Sequence, residues 1–197
     1  MPSPAPPLTL ALLTTTTIDL DSLESETTSL SVLLSALETQ VGDSGDLKEV
    51  AVTQENAYSV VYDTTAFSSA NELASEVSAS ACNATTSVSC EVSVTADDGL
   101  GAATLVVALV LSSEQSFPVP IIFSGGRRRL TSGYSIGAPS GVSLLIEMEI
   151  SQLVASGDTL AETANATMSQ VVQGTSNALV AAMGANAPVP TISIQEL

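Results

Sequence analysis

The chain has no histidine and no tryptophan, and it sets four Lys and Arg against 21 Asp and Glu. Without histidine, nucleophile pairs of the Ser-His-Asp or Cys-His kind are excluded. Two cysteines and no histidine also leave zinc without a ligand set. Aromatics make up 3% of the 197 residues, too few to line the stacking cleft that substrate hydrolysis normally uses. No Walker loop or dinucleotide fingerprint occurs, and Gly99-Leu100-Gly101 reads as a hairpin turn. The formal net charge of −17 argues against nucleic acid and anionic membrane surfaces as partners. No apolar run approaches the ~20 residues of a membrane span. The longest, Leu100 to Leu111, reads as a buried strand. Met1 to Leu13 lacks a basic n-region and opens on a Pro-rich hexapeptide, so it is no signal peptide. The signal of a secreted chain would lie upstream.

What is present is enough for a core. Hydrophobic residues are 45% of the chain and mean hydropathy is +0.39, so Val, Leu, Ile and Ala build the interior despite the charge. Cys82 and Cys90 enclose the sequon Asn83-Ala84-Thr85, and a second sequon is Asn165-Ala166-Thr167. A Cys82–Cys90 bridge would stabilise by about 2.6 kcal/mol through loop closure. Glycans on Asn83 and Asn165 and one bridge together point to the secretory pathway. The alternative is a cytosolic chain with two inert thiols.

The pattern along the chain implies an α+β fold. Residues 1–7 read as a stiff Pro-rich linker, and Leu8 to Ile18 as a strand. A capping box of Asp21 with Glu24 predicts a helix with Leu23, Leu30, Leu34, Leu37 and Val41 on one face, ended by Gly42. Lys48–Thr53 and Tyr58–Phe67 read as two strands around a polar turn at Gln54 to Ala57. Ser69 with Glu72 opens a second helix carrying Ala70, Leu73, Val77 and Ala81 inward, with Cys82 at its end. Cys90 begins the next strand. Residues 8–98 thus spell β-α-β-β-α-β, the order of a ferredoxin-like sandwich with helices on one face.

Residues 99–197 read as an abridged β-β-α-β module. Pro118, Pro120 and Pro139 bracket Gly125-Gly126-Arg127-Arg128-Arg129-Leu130 away from regular sheet. Val142 to Ile150 is a strand with one wet face. Thr159 with Glu162 opens a third helix, interrupted or kinked at Gly174 and ended by Gly184, and Val189 to Leu197 closes the chain. Glu49 to Thr53 echoes in Glu91 to Thr95.

This order, with Tyr58-Ser59-Val60-Val61-Tyr62 in the second hairpin strand, resembles SEA-type modules of extracellular proteins. The Arg insertion in a Ser/Thr/Ala/Val-rich acidic context resembles repeat modules of large secreted or surface proteins of marine algae. The resemblance implies a non-enzymatic structural or adhesion role at the cell surface, in a layer or filament. Self-cleaving SEA modules break at a Gly-Ser step, and no Gly-Ser dipeptide exists here.

Three readings attach to Arg127, Arg128 and Arg129. They form a solvated loop, a processing site for a secretory protease, or a plug into the acidic face of another copy, since Arg forks match carboxylates. The carboxylates also divide. Asp19 and Asp21, with Glu24 and Glu26, Asp43 and Asp46, and Asp97 with Asp98 fit caps and turns. They also offer hard oxygens for loosely bound Ca²⁺. No other cofactor is expected. Partners are other copies or neighbouring modules of the same assembly. The competing function is a carbohydrate-active or ligand-binding secreted domain, which would need two converging carboxylates beside Tyr58, Tyr62 or Tyr134.

Overall fold

The computed structural model describes residues 7–21, 27–42, 45–85, 87–123 and 133–197. The fold is α+β, antiparallel sheet with helices. Among the described residues the strands are β1 (Thr9–Asp19), β2 (Thr28–Ser29), β3 (Asp46–Tyr62), β4 (Ser89–Asp97), β5 (Ala102–Val110), β6 (Ser116–Phe117), β7 (Tyr134–Leu153) and β8 (Thr191–Glu196). The helices are α1 (Leu30–Val41), α2 (Ala70–Ala84) and α3 (Leu160–Met183).

The chain divides into two compact units, and each draws on both segments, 8–98 and 99–197, that the sequence order proposes as modules. The first unit is Met1–Ile18, Thr28–Ala51 and Leu145–Leu197, and the second is Asp19–Thr27 with Val52–Leu144. The boundary falls within β3 and β7 because these strands are 17 and 20 residues long, so each lends a part to either unit. Local pattern cannot reveal this, since nothing in a strand's own sequence says which neighbours it serves.

The first unit takes its elements in the order β1, α1, β3, β7, α3, β8, and its strands lie as β3-β7-β1-β8. Successive strands joined by a helix leave a gap that another strand fills, the split β-α-β arrangement. Val154 N–H donates to Leu8 O at 2.9 Å, and β1 pairs β8 from Leu12↔Glu196 to Thr17↔Thr191. Alternation sets the faces: Leu10, Leu12, Thr14, Thr16 and Ile18 are buried while their neighbours are half-buried. Leu10 and Leu12 pack under Ala164 of α3. The α1 helix lies along α3, and Gly174 permits the approach: a Cβ there would stand 3.1 Å from Gln40 O. Gly174 therefore does not interrupt α3, which runs unbroken to Met183.

The second unit runs β3, α2, β4, β5, β6, β7, with strands ordered β4-β5-β3-β7. It repeats the split arrangement, with the segment after β5 where the first unit has its second helix. Its core joins Val60 and Tyr62 of β3, Ala103 and Leu105 of β5, and Ala70, Leu73, Ala74 and Val77 of α2. Burial of each large apolar side chain contributes about 1.5–3 kcal/mol.

Three further expectations are corrected. The first helix starts at Leu30 after Ser29, not at Asp21, and buries Leu30, Leu33, Leu37 and Val41. Asp21 instead accepts the Val142 N–H at 2.7 Å, and Leu23, Glu24 and Glu26 lie outside the described residues. Gln54 to Ala57 is no turn: β3 runs straight through because Gln54 and Asn56 point inward and are satisfied there. The Gln54 amide donates to Asn56 Oδ1 at 2.8 Å and to Val119 O at 2.9 Å, and accepts the Val119 N–H at 2.6 Å. Pro139 lies inside regular strand, since β7 begins at Tyr134.

Candidate functional site

The corner where α2 meets β4 brings together Cys82, Cys90 and Asn83, three of the residues singled out by sequence. Ser69 starts α2 by accepting the Glu72 N–H, and the Glu72 carboxylate turns back to the N–H and hydroxyl of Ser68. Those bonds, the backbone one first, hold its carboxyl below the usual range. The helix then buries Ala70, Leu73, Val77 and Ala81, which leaves Cys82 at the edge of its last turn. Cys90 is the second residue of β4, and the two stand at disulfide distance, Sγ–Sγ 2.02 Å and Cα–Cα 5.4 Å. Asn83 is exposed beside them, its Nδ2 donating to Ala79 O at 2.6 Å.

Its sequon partner Thr85 is buried, and the Thr85 hydroxyl accepts the Ile122 N–H at 3.2 Å. The second sequon repeats this division. Asn165 is exposed on α3, whereas Thr167 is fully buried, donating to Thr163 O at 2.8 Å and bonded to Gln152.

Of the carboxylates weighed for Ca²⁺, Asp19, Asp21, Asp97 and Asp98 each spend an oxygen on nearby groups. Asp19 accepts the Asp21 N–H at 2.9 Å, and Asp97 accepts the Gly99 N–H at 2.9 Å and the Tyr62 hydroxyl at 3.1 Å. Asp98 closes the β4–β5 hairpin by accepting from Ala102 and Leu100, and these bonds lower its pKa. Burial, then Asp97, pushes the Tyr62 phenol up. Burial pushes Tyr58 up to about 12. Among the described residues, no three Cys, Asp or Glu converge as a metal group.

Arg127, Arg128 and Arg129 lie outside the described residues, as does Asp43. The chain leading to the arginines is held at Val119 by Gln54 and ends in Phe123, edge-on to Tyr58 with ring centroids 5.3 Å apart. Beyond them, Gly133 O accepts the Asp63 N–H at 2.6 Å, and Tyr134 meets Phe67 edge-on at 5.5 Å.

Sequence reasoning missed a groove in the first unit. Met168, Ser169, Val172 and Gln173 of α3 face Ile192 and Ile194 of β8 across about 510 Å³. Its signal was present: helical spacing at 168, 169 and 172 beside alternation at 192 and 194. A second depression, of about 460 Å³, on α1 is lined by Ser31, Val32, Ser35, Ala36, Thr39 and Gln40. No described helix is long and apolar enough to cross a membrane. Comparison with protein-family models, curated proteins and solved structures finds no match to this chain.

Proposed function

We propose that this chain is a non-enzymatic structural or adhesion module of a larger secreted or cell-surface assembly, of the SEA-like kind its sequence resembles. The observation that carries this reading is the exposed corner where Cys82 and Cys90 stand at disulfide distance beside Asn83. Disulfides persist in oxidising compartments, and a sequon asparagine beside one is accessible to a glycan. The described carboxylates support it too, because their oxygens serve turns and caps rather than a common centre. Contacts to other copies would come from Arg127–Arg129 against acidic surface. Loosely bound Ca²⁺ at Asp19, Asp21, Asp97 and Asp98 would temper the charge of −17.

The test is native protein secreted from a eukaryotic host. Its intact mass should be two hydrogens below the reduced chain and should fall further with an N-glycosidase. Association seen by sedimentation should vanish in high salt and in the Arg127→Ser, Arg128→Ser, Arg129→Ser variant. Two freely alkylated thiols would end the secretory reading, and unchanged association in the triple variant would end the arginine contact.

A carbohydrate-active or ligand-binding domain remains the second reading, favoured by one observation, the Tyr62 hydroxyl on Asp97 with Asp98 adjacent. Oligosaccharide binding that Asp97→Asn abolishes would establish it.

A further inference from the structure

The two outer strands are protected unequally. The β4 edge carries a register shift between Val94 and Ala96, a bulge of the kind that blunts strand addition. The β8 edge runs in unbroken register from Thr191 to Glu196. Leu197 N–H donates to Ala11 O at 3.0 Å, so the odd residues of β8 bond to β1. By antiparallel alternation Ile192, Ile194 and Glu196 turn their backbone N–H and C=O to the free side. Their isoleucine side chains line the groove against α3. Among the described residues that backbone is unpaired, and an apolar groove beside it is a ready template for another strand.

Asn165 stands on the rim of this groove. Positions 165, 168, 169 and 172 form one stripe of α3 at helical spacing, and Met168, Ser169 and Val172 are groove residues. The lining has no charge in a chain of −17, and the only charged residue of α3 is Glu162. That chemistry suits a neutral sugar: apolar side chains for its C–H face, and Ser169 and Gln173 for its hydroxyls. Ser169 donates to Asn165 O at 3.0 Å and Gln173 to Asn177 Oδ1 at 3.1 Å, so both keep oxygens free to accept.

We propose that an N-linked glycan on Asn165 lies along the groove between α3 and β8 and closes the β8 edge to strand addition. The inference rests on the secretory reading above. The covalent step uses a lipid-pyrophosphate-linked oligosaccharide: the Asn165 Nδ2–C1 bond forms, the C1–O bond breaks, and the amide proton goes with the departing lipid pyrophosphate. Because the Thr167 hydroxyl is buried under Gln152, transfer precedes the docking of α3.

The experiment compares secreted wild type, Asn165→Gln and Asn83→Gln by glycopeptide mass, amide exchange and sedimentation. Wild type should carry sugar on Asn165 and exchange residues 191–196 about fivefold more slowly than Asn165→Gln. Asn165→Gln should associate beyond the wild-type level in a form that high salt does not disperse, and Asn83→Gln should match wild type. Should Asn165→Gln not fold, trimming the wild-type glycan to one sugar gives the same comparison. An occupied Asn165 with equal exchange overturns the inference. Sugar on Asn83 alone overturns it while the secretory reading stands, and sugar on neither overturns both.

Discussion

The two units share a strand order but fill their cores differently. All three tyrosines and all three phenylalanines fall in the second unit, which also holds the Cys82–Cys90 pair. The first unit has no aromatic and buries Thr14, Thr16, Thr163, Thr167 and Thr175 among its aliphatics. The hydroxyls of Thr16, Thr163 and Thr175 have no hydrogen-bond partner among the described residues. Among the described residues the second unit has one helix where the first has two, and large rings and a polar clamp, Gln54 on Val119, fill its core. A sheet that loses a covering helix must recover apolar area and close its backbone bonds by other means. The first unit keeps both helices, and their close approach needs small residues such as Gly174.

The largest effect that would break this comparison is at the clamp. Gln54→Leu removes the partners of the Val119 N–H and C=O and one partner of Asn56. The expected loss is about 3 kcal/mol, since each stranded buried group costs about 1–3 kcal/mol. Urea unfolding followed by tyrosine fluorescence reads it, because Tyr58, Tyr62 and Tyr134 all report the second unit. A loss below about 1 kcal/mol would mean that water replaces the clamp.

The same clamp explains where the sequence was legible. Thr159 with Glu162 is a full capping box in the structure, and Ser69 accepts from Glu72, because caps are local chemistry. The bridge between Cys82 and Cys90 was legible too, being eight residues apart. Gln54 and Asn56 read as a turn because Val119, which Gln54 clamps, is 65 residues away. Asp21 read as a helix cap for the same reason, its real partner Val142 lying 121 residues away. Both modules were expected as consecutive segments because interleaving is a property of pairing, which no single segment carries.

A smaller and opposite effect sharpens the contrast in the first unit. Thr175→Val deletes an unpartnered hydroxyl from a fully buried site while keeping shape and helix propensity nearly constant. Stability should rise by about 1 kcal/mol. Thr14→Val is the control, because its hydroxyl donates to Met148 O at 3.3 Å, and it should gain nothing. Thermal unfolding of the two variants decides it. An equal response would show that the threonine core is indifferent to hydrogen bonding.

The smallest effect concerns acid. Asp63, Glu72 and Asp98 in the second unit and Glu162 in the first have carboxyl pKa values lowered by backbone N–H donors, from Thr65, Ser68, Ala102 and Thr159 respectively. A lowered folded pKa means the unfolded chain binds more protons, so the stabilisation exists above the unfolded pKa. It is lost as pH falls through the folded value. Acid also relieves the repulsion of −17, which works the other way, so wild-type stability alone does not isolate these groups. Comparing each variant with wild type does. Asp98→Asn and Glu162→Gln should each be less stable than wild type at pH 7, and each gap should narrow as pH falls below the ordinary carboxylate range. Three of the four carboxylates belong to the second unit, so replacing all of its set should flatten the acid response more than Glu162→Gln does. A gap that persists unchanged at pH 3 would mean that these carboxylates act through shape rather than charge.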